Sequence, residues 1–405
     1  MSRSPRQAKI LFLGTLCVLL ALVLTSCGSA IVTPLNGGTP TSTPVAPAIK
    51  FPLALPPATP LVCPQQTANA TDSASNFVQE NSTHFLYQGK TLTFSGFTFY
   101  PSTLGGSAAW QSTTFPDYIN RVLDTAQQLG QNMIRTSDFW DTHTRYNPQA
   151  EQTVWHNVDY LVCAAAQRGM FVELDISAYE WFLMSQHDNA FNANTWLAYL
   201  AAVGNRYRNQ SAIAFYYILG EPTVPTTVSA MHALVDFYRT TTNALHQADS
   251  GHHLIIAGGF NHMEDETAQL QWWQQIYSLP NNNIVAFKTY SQADLNLIPT
   301  IAAFARQIGK PLLDEEFGMT QSLGDAVYSG IPYNGIEMSR ADFFRAVYSE
   351  GEANGVSGFI FWNLGCQINS SSYDVNAGTP AVWRVVQTFA PVSPANVGQG
   401  LCQSG

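Results

Sequence analysis

Between residues 92 and 389 a short apolar run is followed by an amphipathic stretch, eight times over. The apolar runs are Leu92–Thr98, Asn132–Thr136, Met170–Ile176, Ala212–Leu219, His253–Gly258, Ile284–Phe287, Pro311–Glu315 and Ser357–Phe361. The intervening stretches are Phe115–Leu129, Val154–Arg168, Thr195–Arg208, Val228–Ala248, Thr267–Ser278, Leu297–Ile308, Ser339–Asn354 and Thr379–Phe389. Short runs without polar alternation are strands buried on both faces. Strands that alternate with helices form a parallel sheet. Eight such units predict an α/β fold, a (β/α)8 TIM barrel. A doubly wound sheet is the alternative, but its Gly-rich nucleotide turn is absent from the sequence.

In a barrel of this kind chemistry sits just past the carboxyl ends of the strands. The second strand is followed by Arg135, Asp138 and Trp140, the third by Tyr179, Glu180 and Trp181, and the fourth by Gly220, Glu221 and Pro222. Lys288 and Tyr290 follow the sixth, Asp314, Glu315 and Glu316 close the seventh, and Trp362 and Asn363 end the eighth. Carboxylates thus stand at strands four and seven, across the barrel mouth from each other, with aromatic rings between. Two opposed carboxylates in an aromatic-walled cleft are what hydrolysis of a glycosidic bond requires. Glu221 and Glu316 are the pair. Adjacent strand residues point to opposite faces, so Glu315 and Asp314 are expected to be structural.

The amino terminus carries an address. Arg3, Arg6 and Lys9 precede an apolar run from Ile10 to Leu24, which is too short for a membrane span of about 20 residues. Leu24-Thr25-Ser26-Cys27-Gly28 resembles the bacterial lipoprotein box, in which the cysteine is lipidated after cleavage before it. Residues 1–26 are therefore expected to be a lipoprotein signal peptide. Residues 27–62 are the lipidated Cys27 and a Pro/Thr-rich tether. Residues 63–405 are the catalytic domain. The tether could span on the order of 100 Å if it is polyproline-like. An exported, cell-surface membrane-anchored lipoprotein follows.

Charged residues make up 11% of the chain and the net charge is −10. An acidic chain without basic clusters is unsuited to nucleic acid. A neutral, aromatic, amide- and hydroxyl-rich surface suits an uncharged polar ligand. Four cysteines remain in the head. Cys163, within an apolar helical run, reads as a buried free thiol, and one disulfide is expected among Cys63, Cys366 and Cys402. No tight metal-ligand spacing occurs, and no cofactor is expected.

Several stretches together resemble the retaining (β/α)8 glycoside hydrolases, most closely glycoside hydrolase family 5. The run from Ser75 to Gly96 is similar to the entry hairpin and first strand of its endo-β-mannanase branch. Phe77 to Gly89 is expected to form a small hairpin lid. Met133-Ile134-Arg135-Thr136 resembles the second strand, Asn205–Arg208 with Leu219-Gly220-Glu221-Pro222 the fourth unit, and Lys310–Gly318 the nucleophile strand. Gly358–Trp362 resembles the eighth strand. The resemblance implies Glu221 as acid/base and Glu316 as nucleophile. It implies Arg135, Trp140, Trp181, Lys288, Tyr290 and Trp362 as substrate-binding residues. The implied substrate is a β-1,4-linked polysaccharide or oligosaccharide of the mannan or glucan class. The chain would act as a monomer, and as a cellulase- or mannanase-type glycosidase.

Three positions depart from that pattern. Gly220 stands where the family has Asn, Lys288 where it has His, and Thr98 where the branch has Asn. These departures support an alternative, a non-catalytic lipid-anchored carbohydrate-binding barrel. In that alternative Lys288 lies between the two carboxylates and leaves no proton donor.

Overall fold

The computed structural model describes residues 55–64, 76–140, 148–185, 191–222, 225–259, 270–395 and 401–402. Cys27 and most of the tether lie outside the described residues. Three short antiparallel strands open the domain: β1 (Gln79–Asn81), β2 (His84–Tyr87) and β3 (Lys90–Leu92). The turn from β2 to β3 is Gln88-Gly89, both with positive φ, as a two-residue hairpin with right-handed twist requires.

Eight strands then form one parallel sheet: β4 (Phe94–Phe99), β5 (Met133–Thr136), β6 (Phe171–Asp175), β7 (Ile213–Tyr217), β8 (Leu254–Ile256), β9 (Val285–Thr289), β10 (Leu312–Phe317) and β11 (Gly358–Phe361). Their order is β8-β7-β6-β5-β4-β11-β10-β9, and each neighbouring pair in that order is parallel. The seam between β8 and β9 is closed by two asparagines. Asn283 N donates to Ile255 O (2.8 Å), and the Asn283 and Asn282 side chains accept from Ile255 N (2.9 Å) and Ala257 N (3.1 Å). This is the expected (β/α)8 barrel.

The helices wrap it: α1 (Phe115–Gln128), α2 (Pro148–Gln167), α3 (Tyr179–Ser185), α4 (Ala193–Tyr207), α5 (Val228–Ala248), α6 (Leu270–Tyr277), α7 (Gln292–Ile308), α8 (Arg340–Asn354) and α9 (Pro380–Thr388). Thr227, Ser291 and Ser339 cap α5, α7 and α8 by accepting from backbone N–H groups of the first turn, which satisfies otherwise orphaned donors. The Ser291 cap starts α7 five residues before the expected Leu297. Short α3 was not expected at all.

Two-residue periodicity fills the barrel in layers. Phe94, Met133, Phe171, Phe215, Ile284, Leu313 and Ile360 share the interior cluster with Val78 and Phe85 of the hairpin. Phe85 meets Phe94 edge-on at 5.0 Å and stacks on Phe215 at 6.0 Å. The hairpin therefore plugs the amino-terminal end of the barrel. The expected lid is a floor, because its apolar face has partners only at that end.

Two disulfides staple the periphery, Cys63–Cys163 and Cys366–Cys402. Cys163 is thus not a free thiol. It lies half-buried on α2, facing the strap of residues 55–64, which is also held by Leu61 N to Arg206 O (2.8 Å) and Gln210 Nε2 to Leu61 O (2.6 Å). Replacing either pair by serines is expected to lower stability in urea unfolding by about 2–5 kcal/mol. The loss should be greater for Cys63–Cys163, which spans 100 residues against 36. Equal losses, or none, would contradict this account.

Candidate active site

Periodicity carries charge into the upper barrel. Arg135 follows Met133 on β5, Glu173 and Asp175 follow Phe171 on β6, and Lys288 follows Ala286 on β9, each on the inner face and each buried. On β10 the period breaks. The register with β9 shifts between Asp314 and Glu316, and with β11 between Asp314 and Phe317. Leu313 and Glu315 face inward as period two demands, and Glu316 then does so as well. The reasoning that adjacent residues must point apart therefore fails here, because a bulge adds a residue to one face. Glu315 is wholly buried, its Oε1 accepting from the Tyr217 hydroxyl at 2.8 Å. Asp314 turns outward and accepts from Thr289 Oγ1 at 2.8 Å.

Glu316 receives three donors. Tyr290 Oη donates to Oε1 at 2.6 Å, Lys288 Nζ to Oε2 at 3.2 Å, and Arg135 Nη1 also to Oε2. Arg135 is fixed on its other side by Asp175, with Nη2 to Oδ2 at 2.8 Å and Nε at 3.2 Å. Its guanidinium lies 4.9 Å from the centre of the Tyr217 ring. Burial pushes the Glu316 carboxyl up, but Lys288, Arg135 and Tyr290 outweigh it and hold it down to about 2.

Glu221 lies just past β7 with φ 51°, in the left-handed region that a residue with a Cβ seldom occupies. Its backbone N donates to Gly259 O at 2.7 Å, which holds the bend. Lys288 Nζ donates to its Oε1 at 2.6 Å. One ammonium thus touches both carboxylates. Burial opposes the charge of Lys288, but Glu316, Glu315 and Glu221 together raise its pKa.

The cavity over this cluster holds about 490 Å³ and is lined by Arg135, Asp138, Asp175, Glu180, Glu221, Lys288, Glu316 and Trp362, among others. Burial raises Glu180 to about 7, and burial with the nearby Asp175 raises Asp138 to about 6. Glu315 below them is raised to about 7, by burial first. A cavity of similar size, about 470 Å³, opens at the floor between Tyr87, Phe171 and the Cys63–Cys163 bridge, with no carboxylate or cation in its lining.

The structure brings Arg135, Glu221, Lys288, Tyr290, Glu316 and Trp362 together. Trp362 stacks on Tyr100 at 5.6 Å, and Asn363, next to it, donates to Tyr100 O at 3.1 Å. Trp140 is a correction. It is buried against Phe139 and Trp155 and has no face toward the cavity. The chain turns back under α2 after Asp138, so a residue two positions on belongs to the outer core. Trp181 belongs to α3, and its side chain lies outside the described residues. The sequence reading missed Glu173 and Asp175. Their signal was two carboxylates spaced by two within an otherwise apolar strand. Tyr217, Tyr100 and Tyr373 carried no sequence signal. Among the described residues no cluster of His, Cys, Asp and Glu fits a metal ion.

Residues 89–343 match the Cellulase (glycosyl hydrolase family 5) family. No curated protein matches the sequence. Among solved structures, the endo-1,4-β-mannanase from Rhizomucor miehei is similar at 16% identity and TM-score 0.59, over 78% of this chain and 98% of that one. The exo-β-1,4-mannosidase from Opitutaceae bacterium strain TAV5 is similar at 16% and 0.58, over 77% of this chain and 61% of that one. The β-glucuronidase from Faecalibacterium prausnitzii gives 16% and 0.51, over 79% of this chain and 52% of that one. At such identities these likenesses establish the shared barrel alone. The sequence match covers more than half of the chain, from the hairpin through the strands bearing both carboxylates, and on that ground the chain belongs to glycosyl hydrolase family 5.

Proposed function

We propose that the chain is a retaining glycoside hydrolase acting by double displacement on β-linked sugars, with the mannose or glucose unit of the β-1,4-linked class as the first candidate for the sugar that Glu316 attacks. Glu316 is the nucleophile, Glu221 the partner carboxylate at the acid/base position, and Trp362 with Tyr100 the ring face on which the sugar rests. The observation that carries this reading is the convergence of Arg135, Lys288 and Tyr290 on Glu316. A buried carboxylate kept ionised at the carboxyl end of a barrel strand is poised to attack an anomeric carbon. The spacing agrees. The nearest oxygens of Glu221 and Glu316 can be no further apart than the 2.6 and 3.2 Å bonds to Lys288 laid end to end. That bound is compatible with the separation of about 5–5.5 Å between the carboxyl groups of a retaining pair.

A β-glucuronide fits less well. Of the cations lining the cavity, Arg135 already pairs with three carboxylates and Lys288 with two, so a uronate would have to displace one. The two disulfides accord with an oxidising compartment, and export with attachment through Cys27 is part of the proposal.

A second reading has its own observation. Lys288 lies between Glu221 and Glu316, as a non-catalytic carbohydrate-binding barrel requires. Hydrolysis of aryl β-mannosides and β-glucosides by the unmodified chain and by Glu316→Gln separates the two. The hydrolase reading expects turnover that falls about 10⁴–10⁶-fold in the variant, the scale of loss when a nucleophile is removed. Oligosaccharide binding without turnover in either protein would favour the binding barrel.

The depressed carboxyl of Glu316 also sets an acid limit. Because it stays ionised down to about pH 2, kcat/KM should persist well below the ordinary carboxylate range, as far as the fold survives. Tyr290→Phe removes one of its three donors. Losing a hydrogen bond to the charged form raises a carboxyl pKa, so the acid limb of the kcat/KM profile should move to higher pH. An unmoved limb would show that another group sets it.

A further inference from the structure

We propose that the substrates of this site are aryl β-glycosides, whose phenolic aglycone can depart without being protonated by the protein. The inference rests on Glu316 acting as nucleophile and narrows the other side of the scissile bond. Its basis is where Lys288 lies. The ammonium is buried, 2.6 Å from Glu221 Oε1 and 3.2 Å from Glu316 Oε2. That ammonium stands between the two carboxylates and takes up Glu221 Oε1 as its acceptor, and a cation in contact with a carboxyl opposes the proton that a general acid must carry. The charged groups facing that ammonium are Glu221 past β7, Glu315 and Glu316 on β10, and Arg135 on β5. The three acids outweigh the one base, so the cation persists.

The two halves of the reaction then balance as follows. Glu316 attacks the anomeric carbon, a C–O bond to Glu316 forms, the bond to the aglycone oxygen breaks, and its electron pair leaves on the phenolate. No proton moves from the protein. Water then attacks the same carbon and Glu316 is released as carboxylate. Glu221, the acceptor of Lys288, takes the proton of that water and passes it to solvent or to the phenolate. A sugar or alkyl leaving group is a strongly basic alkoxide and gains most from protonation, whereas a nitrophenolate gains little.

The test is a leaving-group series on the unmodified protein: dinitrophenyl, nitrophenyl, phenyl and methyl β-glucosides and β-mannosides, with cellobiose and mannobiose. The expected result is that kcat/KM falls steeply along the series. Methyl and disaccharide substrates should trail nitrophenyl ones by at least about 10²–10⁴-fold, the acceleration that a working general acid supplies, with phenyl glycosides between. In Lys288→His, where the cation can lose its proton near neutral pH, the gap between nitrophenyl and methyl glycosides should shrink at least tenfold. Methyl glycosides and disaccharides turned over within tenfold of nitrophenyl glycosides by the unmodified chain would overturn the inference. If that turnover vanished in Glu180→Gln, it would put the missing proton on Glu180. No release of dinitrophenol from either sugar would instead defeat the hydrolase reading itself. The series on the unmodified chain decides the matter even if the histidine variant does not fold.

Discussion

One carboxylate, Glu316, is shared by two buried cations, and the upper half of the barrel is arranged around that sharing. Taking a charge out of water costs several kcal/mol per ion even after relaxation. Arg135 and Lys288 can stand inside the barrel only because acids surround them: Asp175 and Glu316 for the first, Glu221 and Glu316 for the second. The acids in turn outnumber the cations. Glu173 and Glu315 lie deepest, and burial pushes both up, Glu315 to about 7. Burial thus acts most strongly at the bottom of the cluster, while the two cations hold the Glu316 carboxyl at the top down. That gradient follows from burial and from the side on which the cations lie.

Two of the three departures from the family pattern, Gly220 and Lys288, belong to one connected set. A side chain at residue 220 would have to pass the Tyr217 ring, since a Cβ there would lie 2.7 Å from its Cε1. Tyr217 is fixed by its hydrogen bond to Glu315 and by Arg135 over its ring. Glu315 needs the bare backbone at residue 259, where a Cβ would come within 2.7 Å of Oε1. It is also one of the three acids that stabilise Lys288. Gly220, Tyr217, Glu315, Gly259 and Lys288 therefore constrain each other. Restoring Asn at residue 220 alone would meet a ring with nowhere to go.

Much of this was legible in the sequence, for a physical reason. Strands buried on both faces must be apolar, so polar residues at their carboxyl ends stand out, and Glu221, Lys288 and Glu316 were found that way. What was not legible depends on partners distant in sequence. The bulge that turns both Glu315 and Glu316 inward exists only in the pairing with β9 and β11. Cys163 lies on a half-buried helix face, and only the fold brings the strap with Cys63 against it. The hairpin reads as an apolar-faced ribbon, and nothing local says which end of the barrel it closes. Trp140 looked like a cleft residue because it follows a strand end by four positions, yet the backbone at Asp138, with φ 47°, has already turned away.

Double displacement asks opposite things of one side chain. In the first half the residue at the Glu221 position must give a proton, and in the second it must take one. A histidine nearby can follow that cycle, because its charge comes and goes near neutral pH. A lysine held protonated by three acids cannot. It favours the carboxylate throughout, which suits the base and hinders the acid. Residue 288 thus acts on the balance between the two half-reactions more than on either carboxylate's position. The same cation also strengthens the hold on Glu316, with the consequence that a carboxylate this well stabilised is a weaker nucleophile and a better leaving group. On the proposed double displacement, formation of the glycosyl-enzyme is slowed twice, by the missing proton and by the stabilised attacking group, while its breakdown is helped twice. For such a site the aglycone must supply the driving force of the first step.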